Sequence, residues 1–237
     1  MRRKLQLLFR AANSDSDTLV TELRQEADRA WELIAAKAES GVRVLQWVKG
    51  AEEGTVHGQR MRGEKFDAAL EIGYEDAPLD EVIRLCDGIS DRLGPTVDPA
   101  QSYALAGTEY TFSVGETPTV LLVTISRALT QSFEDCHRHW FTVHGWLVKP
   151  GADRAGLGYG QFHADPKASS LAARLAGVGR HEFEGTAFGY YPDVDTYRRV
   201  MSDPAAFPRV YEDERNFIDF ATSAPNLFTV IFSRNSG

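Results

Sequence analysis

The sequence has little positive charge and no long apolar run. Its 237 residues include 26 Lys and Arg and 34 Asp and Glu, which gives a net charge of −8. The Lys and Arg residues form no basic cluster. Surfaces that bind nucleic acids need clustered Lys and Arg, so a nucleic-acid partner is not expected. Apolar stretches such as TVLLVTI at 119–125 are far shorter than the roughly 18 residues of a membrane span. We therefore expect a cytoplasmic protein with neither nucleic acid nor membrane as a partner.

Cysteine is scarce, and several catalytic motifs are missing. The two cysteines, Cys86 and Cys136, have apolar neighbours in helical patterns and no CxxC partner, which predicts buried free thiols. The chain has no GxSxG or P-loop motif, and GLGYG at 156–160 lacks the GxGxxG pattern of a dinucleotide site. What is present is a globular composition, 43% hydrophobic and 11% aromatic, sufficient for one large domain or two smaller ones.

The hydrophobic pattern indicates the same order of elements twice. Alternating apolar residues predict strands at 4–11, 41–50, 65–74, 102–114, 119–128, 157–165, 185–192 and 227–234. Helical spacing predicts helices at 17–40, 78–94, 132–147, 193–201 and 207–221. The order β-α-β-β-α-β is typical of a ferredoxin-like unit, in which helices cover one face of an antiparallel sheet. We expect an α+β fold of two tandem units, 1–116 and 117–237, packed sheet to sheet.

Three histidines lie in the segment CHRHWFTVHGWLVKPG, residues 136–151. Two imidazoles on one helix bind a metal ion best at a spacing of four, whereas His137, His139 and His144 are two, five and seven residues apart. The sequence therefore predicts no metal site on this helix. On a regular helix, His139 and Trp146 would face away from the apolar stripe.

His144 lies near the middle of that apolar stripe. The stripe also contains Phe133, His137, Trp140, Phe141 and Val148. Two interpretations stay open: a neutral core histidine hydrogen-bonded to the backbone, or an acid–base group in a pocket. Trp140, one turn earlier, and Gly145, where a ligand or backbone could approach closely, favour the pocket.

The strand at 157–165 places polar groups on one face. Tyr159, Gln161, His163 and Asp165 alternate along it. If helices covered this face, the polar groups would be buried and would need hydrogen-bond partners. We therefore expect that the face either lines a polar cavity between the sheets or is the solvated face of an edge strand. The next strand adds the aromatic residues Phe188 and Tyr190, which suit a flat substrate. The acidic run at 211–220, YEDERNFIDF, predicts a solvated helix face.

Several of these stretches resemble the EthD family of dimeric α+β barrel proteins. They are HWFTVHGWLV, the preceding SFEDCHR, the later GTAFGYYPDVDTYRRVMSDP, and EDERNFIDF. The resemblance is clearest from about Leu121 to Phe232 and rests on Trp140, His144 and Gly145, and near the end on Asp213, Glu214, Phe217 and Asp219. The first half has the element order but no HG pair in its first helix. Trp146 replaces the family's usual proline after HG, and Phe188 replaces an acidic residue often found in the third strand.

The resemblance implies a barrel of two ferredoxin-like units around a pocket. Related barrels include cofactor-free dehydratases, cyclases and decarboxylases of aromatic polyketides, cofactor-free monooxygenases, enzymes that degrade phenols, and haem-binding members. The fold alone does not choose among them. A histidine in an aromatic-lined pocket is a good general acid or base near neutral pH, which is worth about 10² to 10⁴-fold in rate.

We therefore expect a cofactor-independent lyase acting on a bulky phenolic or polyketide-like aromatic. It would have dehydratase, aldol-type (formaldehyde-releasing) or cyclase character. The expected catalytic residues are His144, Tyr159, His163 and Tyr190. The expected substrate-binding residues are Phe133, His137, Trp140, Phe141, Gln161 and Phe188.

Other classes stay open beside the lyase. A haem-binding barrel would use His144 or His163 as an iron ligand, and a cofactor-free monooxygenase is the nearest enzymatic alternative. A non-catalytic ligand-binding or assembly protein would use the same pocket without chemistry. The outward-facing Trp146 is compatible with a homodimer.

Overall fold

The computed structural model describes residues 1–13, 16–50, 55–56, 59–115, 118–179, 183–203, 205, 207 and 209–236. Within these residues, alternating apolar segments form strands and amphipathic segments form helices. The strands are β1 (Arg2–Phe9), β2 (Gly41–Trp47), β3 (Thr55–Val56), β4 (Gln59–Arg60), β5 (Ala68–Glu75), β6 (Tyr103–Ser113), β7 (Thr119–Ile125), β8 (Gly158–Ala164), β9 (Gly185–Tyr191) and β10 (Ala224–Asn235). The helices are α1 (Ser16–Ile34), α2 (Leu79–Arg84), α3 (Ile89–Leu93), α4 (Phe133–His139), α5 (Gly145–Ala155), α6 (Pro166–Ala176), α7 (Val194–Ser202) and α8 (Val210–Glu214). A π-helical turn, Trp140–His144, joins α4 directly to α5.

The helices differ from the sequence prediction in several places; α5 extends to Ala155, and α8 covers Val210–Glu214 of the predicted 207–221. Residues 166–176, where the pattern predicts no helix, form α6; this stretch is rich in alanine, the best helix former. The side chain of Asp165 caps α6 by accepting from the backbone N–H groups of Lys167 and Ala168. The helix predicted at 78–94 is divided into α2 and α3, because Gly88 adopts a left-handed conformation with φ of 67° just before α3.

The eight long strands close into one barrel. Their order is β1-β5-β2-β10-β7-β9-β8-β6, and β6 pairs again with β1. The α+β class is confirmed. The packing differs from two sheets facing each other, because the strands of the two halves of the chain pair edge to edge. These pairs are β2 with β10 and β6 with β8. Closure pairs the edge strands that two open sheets would leave exposed.

Alternation along each strand separates the barrel interior from an outer, helix-covered face. The interior cluster includes Leu8, Leu122, Phe162, Phe188 and Phe228. On the outer face, α1, α2, α3 and α6 pack over the strands of the first half. The segment 133–155, with α7 and α8, covers β7, β8, β9 and β10. Residues of the histidine-rich segment therefore face the outside of the barrel wall.

Two further expectations concern cysteine and membranes. Cys86 and Cys136 are free and buried, which confirms the prediction of free thiols. None of the helices in the described ranges has the length and apolar character required to cross a membrane.

Candidate active site

His144 is the centre of a buried hydrogen-bonded cluster. Its exposed fraction is 4%, which confirms its place in the apolar stripe. His144 Nδ1 lies 2.9 Å from Asp213 Oδ2, and His139 Nε2 lies 2.8 Å from Asp213 Oδ1. One carboxylate from α8 therefore orients two imidazoles, one at the end of α4 and one at the end of the π-helical turn.

The π-helical turn is what brings the two imidazoles together. The expectation that His139 faces away from His144 is wrong, because it assumed a regular α-helix. In a π-helix the repeat is i to i+5, so residues five apart lie on one side. Gly145 follows the turn, and a Cβ there would lie 2.3 Å from the Phe112 ring. The glycine therefore permits the close approach that the sequence suggests at this position.

Burial sets the protonation of this pair. Burial lowers the pKa of His144, and it does so more strongly than the hydrogen bond and charge of Asp213 raise it. Burial favours a higher pKa for Asp213, but hydrogen bonds from His144 and His139 outweigh it, so the pKa of Asp213 is lowered. A neutral His144 then donates its Nδ1–H to an ionised Asp213. Its Nε2 carries a lone pair and has no hydrogen bond to any described residue.

Glu214 lies next to Asp213 on α8, but its pKa is shifted in the opposite direction. Its exposed fraction is 6%, and its Oε2 is buried without a hydrogen-bond partner among the described residues. Burial, reinforced by the charge of Asp213, raises the pKa of Glu214 to about 8. At neutral pH it is therefore predominantly a carboxylic acid that can donate a proton.

Both groups line one cavity of about 60 Å³. Tyr159 also contributes a hydroxyl group, and its pKa is raised by burial. The walls are otherwise mainly apolar and include Leu121, Val123, Val148, Leu157, Tyr191 and Phe207. A cavity of this size holds a few water-sized groups, whereas whole drug-sized ligands need about 300 Å³ or more. Only a small reacting group fits in this conformation.

The polar face of β8 is buried against the histidine-rich segment. His163 Nε2 lies 2.9 Å from Gln161 Oε1, and Gln161 Nε2 donates to both the Trp140 carbonyl and the Tyr159 hydroxyl at 2.9 Å. The His163 ring stacks on Trp140 with a centroid distance of 4.3 Å. The sequence predicts either a polar cavity between the sheets or the solvated face of an edge strand. Neither is observed for these side chains, because other protein groups form their hydrogen bonds.

His163 continues this network to His137 and Glu184. The two Nδ1 atoms of His163 and His137 are 2.9 Å apart, and His137 Nε2 lies 2.9 Å from Glu184 Oε2. Arg127 Nε donates to the other oxygen of Glu184 at 2.9 Å. Burial, with a smaller contribution from His137, lowers the pKa of His163 to about 3. His163 is therefore a neutral, fully hydrogen-bonded group.

Tyr190 and Phe188 lie in a different environment, the barrel interior. The Tyr190 hydroxyl accepts a hydrogen bond from Arg43 at 3.0 Å, and burial raises its pKa to about 12. Arg43 and Lys4 both pair with Glu71, and Lys4 Nζ lies 4.0 Å from the Phe188 ring centroid. Phe188 also borders the His144 cavity. The structure therefore brings His144 and Tyr159 together and leaves the Tyr190 hydroxyl inside the barrel.

The remaining predicted residues divide between core and surface. Trp140 is fully buried. Phe133, His137 and Phe141 line a separate groove of about 470 Å³ together with His163. The predicted residues thus occupy three neighbouring but separate environments.

Haem does not fit these residues. An iron ligand needs a free imidazole nitrogen, but both nitrogens of His163 and of His137 are engaged in hydrogen bonds. His144 has Nε2 available, yet its cavity of about 60 Å³ has no room for a macrocycle. Among the described residues, no group of three or more His, Cys, Asp or Glu side chains is placed to hold a metal ion.

Sequence reasoning missed Asp213 and Glu214 as site residues. The expectation of a solvated face at 211–220 is wrong for both, whose exposed fractions are 9% and 6%. A signal was present, since they precede the buried Phe217 by four and three residues and so share its side of a helix. Arg127 and Glu184 carried no comparable local signal.

Residues 129–221 match the model of the EthD domain, which confirms the resemblance to that family for this part of the chain. The match includes His139, His144, Asp213 and Glu214. No curated protein matches the sequence.

Solved structures share the fold at very low sequence identity. The structure named "Putative Chlorite dismutase TA0507" has a TM-score of 0.53 and 10% identity, over 98% of this chain and 95% of that one. A chlorite dismutase variant from Candidatus Nitrospira defluvii has a TM-score of 0.51 and 9% identity, over 96% and 91%. At these identities the likeness shows the fold alone.

Proposed function

We propose that the protein is a cofactor-independent lyase that acts on a phenolic or polyketide-like aromatic. The observation that carries this proposal is that His144 and Glu214 line one mainly apolar cavity, where burial lowers the pKa of His144 and raises the pKa of Glu214. The lowered pKa suits His144 to act as the base, and the raised pKa suits Glu214 to act as the acid. The cavity accepts the reacting end of the substrate, and a bulky ring system stays outside it unless the walls move.

A dehydration illustrates the proposed chemistry. His144 Nε2 removes a proton from the carbon beside a carbonyl group, and Asp213 stabilises the resulting imidazolium. Tyr159, whose oxygen accepts from Gln161, donates its O–H to the carbonyl oxygen as negative charge develops there. Glu214 transfers its proton to the leaving hydroxyl, which departs as water. A proton then returns from His144 to Glu214, which restores the starting state.

The proposal includes one site per chain and two ferredoxin-like repeats, 1–116 and 117–237. The strand order β6-β1-β5-β2 in the first half matches β10-β7-β9-β8 in the second, which supports the repeats. The proposed boundary, 116–117, lies outside the described residues. A homodimer also stays a proposal; Trp146, with an exposed fraction of 57%, supports it, and light scattering of the purified protein would test it.

Mass spectrometry tests the activity directly. Purified protein is incubated with a panel of phenolic and polyketide-type aromatics, without added cofactor. We expect a product that has lost water, formaldehyde or carbon dioxide, or has cyclised. His144→Asn, whose amide N–H can still reach Asp213 but which lacks Nε2, should lower the rate by about 10² to 10⁴-fold. Glu214→Gln should also lower the rate at which this product forms. Glu212 is an exposed neighbour on α8, and Glu212→Gln should leave the rate unchanged.

Three outcomes would contradict this proposal or the role of His144 in it. Incorporation of oxygen from O₂ would identify the monooxygenase alternative instead. Turnover that survives His144→Asn would remove His144 from the mechanism. If no compound is converted but one binds, the protein is a ligand-binding protein; the small cavity is the observation that favours this second candidate.

A further inference from the structure

A second concave site lies outside the His144 cavity. It is the groove of about 470 Å³, within the range of about 300 to 1,000 Å³ that small-molecule sites occupy. Tyr110, Phe133 and Phe141 give it three aromatic rings, and Arg3 and His137 give it polar groups. The proposed lyase mechanism uses none of these five residues.

The hydrogen bonds of Gln161 determine the tautomer of His163. The Trp140 carbonyl can only accept, so the Gln161 atom beside it must be the amide nitrogen. The Gln161 oxygen then faces His163 Nε2, which must carry a proton to donate. Because His163 is neutral, its Nδ1 carries a lone pair and accepts.

The same reasoning assigns the protons of His137. Its Nδ1 must donate to the bare Nδ1 of His163. Its Nε2 faces Glu184, a carboxylate that also accepts from the guanidinium of Arg127. A second lone pair against this carboxylate would be repulsive, so His137 Nε2 carries a proton as well. In this arrangement both ring nitrogens of His137 act as donors, which is the hydrogen-bonding pattern of an imidazolium cation.

The groove has an excess of positive charge. Within the described ranges, Glu184 is the single carboxylate that pairs with both Arg127 and His137. Arg3 donates to the Thr108 hydroxyl and has no ion pair with a carboxylate in the described part of the chain. Asp165 also lines the groove, but one of its oxygens is engaged in capping α6. At the rim, Arg138 pairs with Asp135.

We propose that this groove is a binding site for an aromatic carboxylate. The free N–H groups of Arg3 hold the carboxylate, since a guanidinium matches its two oxygens. The charge of His137 adds attraction without a direct hydrogen bond, because both of its N–H groups are already used. The rings of Phe133, Phe141 and Tyr110 pack against the ligand's ring.

Calorimetric titration with benzoate tests this site. We expect wild-type protein to bind benzoate, with Arg3→Gln weakening binding about ten-fold or more. Arg198→Gln, which removes an exposed arginine on α7, is the matched control and should change nothing. Benzamide, which lacks the charge, and inorganic phosphate, which lacks the ring, should both bind more weakly than benzoate.

Nitrogen-15 NMR of the imidazoles provides an independent test that needs no substitution. With these hydrogen bonds formed, protons should be detected on both ring nitrogens of His137 and on Nε2 alone of His163. A neutral His137, or no benzoate binding up to about 10 mM, would overturn the proposal. Equal binding of phosphate, or binding unaffected by Arg3→Gln, would also overturn it.

Discussion

Glu184 and Glu214 are equally buried, with exposed fractions of 6% each, but their surroundings are opposite. Glu184 accepts from Arg127 and His137, so the protein itself satisfies its charge. Glu214 Oε2 has no partner among the described residues, and the Glu214 side chain lines a cavity. Burial alone therefore does not distinguish a structural carboxylate from a candidate catalytic one. The difference is whether partners within the fold complete its hydrogen bonds.

Removing the satisfied carboxylate should have the largest effect on stability. Glu184→Ala leaves the partly buried Arg127 guanidinium and the His137 ring without their carboxylate partner, so we expect the free energy of unfolding to fall by about 3 to 5 kcal/mol. Urea denaturation measures this change. Glu212→Ala, at an exposed position, should stay within about 0.5 kcal/mol of wild type. If Glu184→Ala and Glu212→Ala lower the free energy of unfolding by similar amounts, the hydrogen bonds of Glu184 contribute little to stability.

Replacing the unsatisfied carboxylate should instead change the pH dependence of stability. The pKa of Glu214 is raised from 4.5 to about 8, so between these values the folded protein binds a proton that the unfolded chain lacks. This group's contribution is full below about 4.5 and is lost as pH rises towards 8, at about 1.4 kcal/mol per pH unit. In urea titrations across this range, Glu214→Gln should remove that slope. An unchanged slope would mean that Glu214 is ionised in the folded state.

The smallest effect is expected at the rim of the cluster. His139 shares Asp213 with His144, and its positive charge helps to lower the pKa of His144. His139→Gln removes that charge while offering an N–H to Asp213, so the pKa of His144 should rise. NMR titration of the His144 ring measures the shift, and Arg138→Gln, an exposed charge on the same helix, is the control. A lower pKa in His139→Gln would contradict the shared-carboxylate arrangement.

Local pattern was sufficient for the strands and for the burial of His144. Alternation and helical spacing are properties of adjacent residues, and they place β1, β2 and β6 to β10 close to their observed positions. The same local reasoning failed at Asp213 and Glu214, because acidic residues are usually solvated. It also failed for His139, where a π-helical turn replaced the assumed α-helix.

By itself, the sequence determined the α+β class, the order of most elements, the free thiols and the burial of His144. Only the tertiary structure decided which side chains act together. His144 and Asp213 are 69 residues apart, and His137 and Glu184 are 47 apart; the packing of the segment 133–155 against α8 and the second-half strands brings each pair into contact. The protonation of a buried group depends on partners from distant segments, because burial penalises its charge until those partners compensate it.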